Sequence, residues 1–119
     1  MYHIAICDDE AQFVQQLNTH INRYAEQNEI EIRTTIYSDG AELLQGYPMD
    51  IDLIFLDIRM AHMGGLQAAS AIRKMDTNVS IIFLTSMAQY ALEGYSICRR
   101  LCTVLCRHNG RHSWNGKKK

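Results

Sequence analysis

Short apolar runs and longer amphipathic stripes alternate along this chain. Leu53-Ile54-Phe55-Leu56 runs unbroken into a lone carboxylate, Asp57, and glycines follow at Gly64 and Gly65. Such a run, bounded by polar residues, predicts a strand buried on both faces, as in a parallel sheet. Val79 to Thr85 (VSIIFLT) predicts another, ending in the hydroxyls of Thr85 and Ser86. Residues 2–7 alternate loosely into Cys7-Asp8-Asp9-Glu10, a strand whose carboxyl end carries three acids. Glu31 to Tyr37 is rich in β-branched residues and predicts a strand as well. Between these, Phe13, Val14, Leu17, Ile21 and Tyr24 recur at helical spacing through about residue 26. Ser38-Asp39 caps a short helix carrying Ala41, Leu43 and Leu44, stopped by Gly46 and Pro48. Gly64-Gly65 opens a helix with Leu66, Ala69, Ile72 and Met75 on its face, and residues 87–95 give a short one with Met87, Ala91 and Tyr95 along one side. The order βαβαβαβα predicts an α/β fold, a parallel sheet with helices on both faces.

In open α/β sheets, ligands meet the chain just past the carboxyl ends of the strands, at the point where strand order reverses. Asp8 and Asp9 follow the first strand, Asp57 ends the third and Thr85 ends the fourth. In the flavodoxin-like order 2-1-3-4-5, strands one and three are neighbours and the acids converge. Carboxylates crowded in this way raise one another's pKa unless a cation sits among them. Mg²⁺ suits the position, being hard and commonly held by one or two carboxylates plus waters and phosphate oxygens.

At 119 residues the chain makes one domain. Its hydrophobic content of 47% and charged content of 21% are those of an ordinary soluble protein. No apolar run approaches the roughly 20 residues of a membrane span, and no secretory leader is expected, since residues 2–6 already read as a strand. Three of the four cysteines (Cys98, Cys102 and Cys106, with Cys7 apart) crowd the last fifth of the chain, which fits a reducing, cytoplasmic setting. The net charge of −1 hides an asymmetry: all 13 acids and five bases lie in residues 1–93, and seven bases without an acid lie in residues 94–119.

Asp8-Asp9, the block Leu56-Asp57-Ile58-Arg59-Met60 with Met63-Gly64-Gly65, and Phe83-Leu84-Thr85-Ser86 together resemble the receiver domain of bacterial two-component response regulators. The middle block, with Ala91-Leu92-Glu93-Gly94-Tyr95, is most like regulators that carry a LytTR-type DNA-binding domain. The resemblance covers residues 1 to about 96 and implies a flavodoxin-like three-layer sandwich. It implies that Asp57 accepts a phosphoryl group from a sensor histidine kinase. Asp9, Asp57 and the backbone carbonyl of Arg59 would bind Mg²⁺ directly, with Asp8 acting through water. Thr85 would move its hydroxyl to the phosphoryl group and switch the domain. The phosphorylated protein would then regulate an output domain absent from this chain, touching DNA only through that domain, with no membrane partner. Ala61 stands where the family usually has proline. An enzyme of the phosphatase type with an aspartyl nucleophile needs a second Asp two residues on, where this chain has Arg59.

From about residue 97 the family pattern breaks. A fifth strand ending in Lys-Pro and an amphipathic fifth helix are expected, but spacing puts Cys102 at the aromatic switch position and Leu105 at the catalytic lysine. Arg107 to Lys119 holds one large apolar residue, Trp114, and reads as a solvated basic tail rather than a helix. Cys-Arg-Arg-Leu-Cys-Thr-Val can be encoded as TGC CGC CGA CTA TGT ACT GTA. Read one nucleotide later, this gives Ala-Ala-Asp-Tyr-Val-Leu, close to the family's entry into the fifth strand. A frame-shifted or otherwise altered end from about residue 98 accounts for both the lost motif and the charge break. Cys98, Cys102, Cys106, His108 and His112 are also zinc-type donors, though their spacing fits no common finger. Seven bases without a groove-fitting helix fit a solvated tail better than a nucleic-acid surface. Leu101 to Cys106 can still add a fifth strand. Without the fifth helix, apolar sheet is left uncovered, which favours self-association, such as a homodimer, or a reshaped end. With Leu105 in the lysine's place, the alternative to a working switch is a pseudo-receiver, a binding module that keeps the fold.

Overall fold

The computed structural model describes residues 1–60, 62–85, 102–108 and 111–114. The elements run β1 (Tyr2–Cys7), α1 (Ala11–Gln27), β2 (Ile32–Tyr37), α2 (Gly40–Leu44), β3 (Leu53–Asp57), α3 (Gly65–Met75), β4 (Ser80–Thr85), β5 (Cys102–His108) and β6 (Arg111–Trp114). They form one sheet in the order β2-β1-β3-β4-β5-β6. The first five strands are parallel, as expected, and β6 is antiparallel to β5.

Side chains on a strand alternate between faces, and two separate cores result. Ala5, Cys7, Ile54, Leu56, Ile81 and Phe83 pack on one face with Leu43 of α2 and Ala68, Ala69 and Ile72 of α3. Ile4, Ile6 and Leu84 pack on the other with Phe13, Val14, Leu17 and Ile21 of α1. The register explains the match: Ala5 lies beside Ile54, Cys7 beside Leu56, and Leu56 beside Phe83, so each apolar row continues across three strands. This is the three-layer sandwich that the unbroken apolar runs predict.

Two helix faces differ from expectation. Tyr24 is exposed and Ala25 is buried in its place, because the buried stripe of α1 steps four residues on from Ile21 rather than three. Met75, the last residue of α3, is exposed, and the face is completed by Ala68 beside Ala69 and Ile72. The short helix α2 has its expected cap. Asp39 accepts from the Glu42 N–H at 2.9 Å, and Glu42 accepts in return from the Ser38 N–H at 2.8 Å.

Arg111–Trp114, within the segment expected to be a basic tail, pairs with β5. His108 pairs with Arg111, leaving two residues, Asn109-Gly110, between β5 and β6. No helix follows β5 among the described residues. The expected helix over 87–95, Ser86 and the Ala61 position lie outside the described residues.

Gly65 fixes how closely α3 approaches the sheet. A Cβ there would collide with the backbone carbonyl of Asp57 and lie within 3.0 Å of the Ile58 Cα. Gly65→Ala is therefore expected to destabilise by about 1–3 kcal/mol through overpacking, read by urea denaturation. Phe83 is fully buried at the centre of the larger core. Phe83→Ala is expected to cost about 3–5 kcal/mol in the same experiment, a large part of the stability of a domain this size.

Candidate functional site

The strand order places β1 between β2 and β3. The chain leaves β1 by α1 toward one side of the sheet, while β3 lies on the other, so a crevice opens past their carboxyl ends. Asp8 and Asp9 follow β1 directly, and Asp57 is the last residue of β3. Carboxylate oxygens of all three lie within 4.8 Å of one another. Asp8 and Asp57 are buried, and Asp9 faces solvent.

Local hydrogen bonds hold each acid. The Asp8 N–H donates to the Tyr37 carbonyl at 3.1 Å, and Asp8 Oδ1 accepts from the Glu10 N–H at 2.9 Å. This side-chain turn leads the backbone into α1. Asp57 Oδ1 accepts from the Arg59 N–H at 3.3 Å. The loop after β3 is tied down at several points. The Ile58 N–H donates to the Leu84 carbonyl at 3.0 Å, and the Gly65 N–H returns to the Ile58 carbonyl at 2.9 Å. The Gly40 N–H reaches the Met63 carbonyl at 3.2 Å, and the His62 ring Nδ1 lies 2.9 Å from Asp39 Oδ2. These ties between the loop and α2 escaped the reading from sequence, since nothing in the spacing of residues 39–40 and 62–63 links them.

The electrostatics register on a neighbour. Burial, reinforced by the charges of Asp39, Asp8 and Asp57, pushes the Cys7 thiol up to about 12. Cys7 therefore stays protonated, its S–H directed at the Met60 sulfur at 3.7 Å. The Glu42 N–H and the His62 ring hold the Asp39 carboxyl below its usual value. An open cleft of about 390 Å³, lined by Asp8, Asp9, Val14, Gln15, Ile36 and Glu42, lies against the acids.

Every donor in the cluster is a carboxylate oxygen, without thiolate or imidazole. That set suits a hard cation such as Mg²⁺ rather than zinc.

Thr85 ends β4, and its register partner is Cys106. Asp57, Leu84 and Leu105 form one row across β3, β4 and β5. The position expected to hold lysine thus lies in the row of Asp57, and β5 contains no lysine.

The comparisons with known proteins agree with this arrangement. The model of the response regulator receiver domain matches residues 4–100. The sensory transduction protein LytT of Bacillus cereus is 29% identical over 97 residues, covering 82% of this chain and 38% of LytT. The response regulator SaeR of Staphylococcus epidermidis is 32% identical over 89 residues, covering 75% of this chain and 36% of SaeR. The chain thus spans less than two fifths of the length of either curated relative. The response regulator protein TrrA of Thermotoga maritima, solved in complex with Mg²⁺-BeF, is 30% identical with a TM-score of 0.65, over 81% of each chain. With three acids at the switch point of a 2-1-3-4 sheet and a family match from the first strand to residue 100, the chain belongs to the response regulator receiver domains.

Proposed function

We propose that this chain is a phospho-acceptor in two-component signalling, with Asp57 as the residue phosphorylated by a sensor histidine kinase. The observation that carries this reading is the convergence of Asp8, Asp9 and Asp57 at the ends of two adjacent central strands. Asp57 attacks the phosphorus of a phosphohistidine through a carboxylate oxygen. The new O–P bond forms as the P–N bond breaks, and the electron pair stays on the departing imidazole, which takes up a proton. The product is an acyl phosphate on Asp57. The chain contributes the nucleophile and its setting, so it is a substrate of the kinase with at most self-catalysed transfer and hydrolysis, not a turnover enzyme.

The Arg59 N–H orients Asp57 by holding one carboxylate oxygen. Asp9, Asp57 and the Arg59 carbonyl are the direct Mg²⁺ ligands in this proposal, and Asp8 acts through water. When bound, Mg²⁺ supplies charge neutralisation for phosphoryl oxygens during in-line transfer. Thr85, at the end of β4, is the switch residue, drawn toward a group that brings about −2 of charge. The likeness to LytT supports the LytTR type, with a DNA-binding output domain outside this chain. A pseudo-receiver is the second reading. It is favoured by one observation, that the row of Asp57 holds Leu105 and β5 has no lysine. Because the nucleophile and the acids lie on β1 and β3, loss of the lysine weakens switching more than transfer.

Intact mass after incubation with Mg²⁺ and acetyl phosphate separates the two readings. One phosphoryl adduct is expected on the wild type and none on Asp57→Asn. Absence of the adduct from folded wild-type protein would establish the pseudo-receiver. Metal binding is checked independently by thermal melting. Mg²⁺ at about a hundred times its Kd should stabilise by about 2.7 kcal/mol. Asp9→Asn should melt above wild type without Mg²⁺, because one of three crowded charges is gone. It should also bind Mg²⁺ at least roughly 10-fold more weakly, the loss typical of even an outer partner.

A further inference from the structure

At the opposite end of β1 from the acids stands a buried histidine that the phosphoryl chemistry does not use. His3, the second residue of β1, is 5% exposed and alternates onto the same face as Ala5 and Cys7. Its ring Nε2 lies 2.8 Å from the Thr35 hydroxyl of β2. Its Nδ1 lies 3.0 Å from Asp50 Oδ1 and 3.2 Å from Arg33 Nη2. Asp50 belongs to the loop between α2 and β3, and its other oxygen accepts from Arg33 Nη2 at 2.7 Å. Asp52 of the same loop is bonded to the His3 backbone in both directions. Its Oδ2 accepts from the His3 N–H at 2.8 Å, and its N–H donates to the His3 carbonyl at 2.8 Å.

Nδ1 thus faces an acceptor and a donor at once, and a ring nitrogen can serve only one of them in a given protonation state. Without a hydrogen it accepts from Arg33, and with one it donates to Asp50. The Thr35 hydroxyl suits either state, since it rotates to donate or to accept. Among the described residues, the charged groups around the ring are Arg33 of β2 and Asp50 and Asp52 of the loop. We propose that His3 is a proton-operated clamp, in which the ring's second proton makes Asp50 exchange Arg33 for the imidazolium as its ionic partner. The cation is fixed within the sheet with Nδ1–H toward the carboxylate. Arg33, 3.2 Å from the same nitrogen, meets a like charge. Its side chain is 53% exposed, so it turns out to water at little cost. Asp50 stays charged throughout, because the His3 hydrogen bond first, and Arg33 after it, hold its carboxyl below the usual range. Tyr37, further along β2 in the field of Asp50 and Arg33, has its phenol raised, by burial first, and stays neutral. The imidazole is therefore the group that changes charge between about pH 5 and 8. β2 is the outer strand of the sheet. The exchange releases its ion pair to the loop, and the loop stays attached to β1 through His3 and Asp52.

Nitrogen-15 NMR of the full chain at about pH 8 and about pH 5 tests the proposal. Rotation of the Arg33 guanidinium about its Cζ–Nη bonds is expected to be restricted at the higher pH, and the restriction lost at the lower. In the same samples the His3 ring should carry hydrogen on one nitrogen at the higher pH and on both at the lower. His3→Gln keeps a hydrogen-bonding side chain that gains no charge, so Arg33 should stay restricted at both. Asp50→Asn, at a side chain 62% exposed, removes the carboxylate without touching the core, and Arg33 should then rotate freely at both. Arg33 restricted at both pH values in wild type overturns the proposal, as does a ring that keeps a single hydrogen at the lower pH. Release of Arg33 at the lower pH in His3→Gln overturns it too, because another group then drives the exchange. So does restriction that persists in Asp50→Asn, because Arg33 is then held elsewhere.

Discussion

Three carboxylates held within 4.8 Å, two of them buried, are the arrangement against which the rest of the fold is set. Like charges at this separation repel, and burial removes much of the water that would screen them. Left to itself, such a cluster would spread. It is kept together because the strands beneath cannot move apart. β1 and β3 are hydrogen-bonded neighbours with apolar side chains locked into a core on each face. Backbone N–H groups of Glu10 and Arg59 turn toward the acids and offset part of the cost. Beneath the site the Cys7 thiol is raised by its burial first, and by the charges of Asp39, Asp8 and Asp57 after it.

A site strained in this way is poised for anything that brings positive charge or removes negative charge. In the proposed function a cation and a transferable phosphoryl group would meet there, and the surrounding loop is held in place. The loop after β3 is fastened to α2 through Met63 and His62, and to β4 through Ile58. Gly65 lets α3 begin directly against the Asp57 carbonyl, where any side chain would push the strand end outward. A change of charge at Asp57 therefore acts on a backbone already connected to α2, α3 and β4. These are the connections that a two-state response requires.

Much of this was legible in the sequence because both governing patterns are short-range. Runs such as Leu53–Leu56 mark strands buried on both faces, and acids immediately past strand ends mark the switch point once the strand order is known. The same logic failed where one residue decided a face. Tyr24 and Ala25 are both compatible with the stripe of α1, and the bulkier apolar residue is the one left outside. It failed again at β6, where Arg111–Trp114 pairs with β5 although its sequence has no apolar run or alternation. Contacts such as His62 with Asp39 join residues far apart in the chain, and no local period encodes them.

The carboxyl-terminal part shows which functions separate along the chain. The family match ends at residue 100, close to the point where acids cease and bases accumulate. The three acids of the cluster lie before that point, Asp8 and Asp9 after β1 and Asp57 at the end of β3. The groups expected to sense the product lie on β4 and β5, and β5 supplies Leu105 in the row of Asp57. Under the proposed function, an aliphatic residue at that position would offer no charge to a phosphoryl group on Asp57. A ligand that interacts equally with two states cannot shift their balance. Under the proposed function, phosphoryl acceptance and the response to it therefore fall on different strands, and the division lies between β3 and β4.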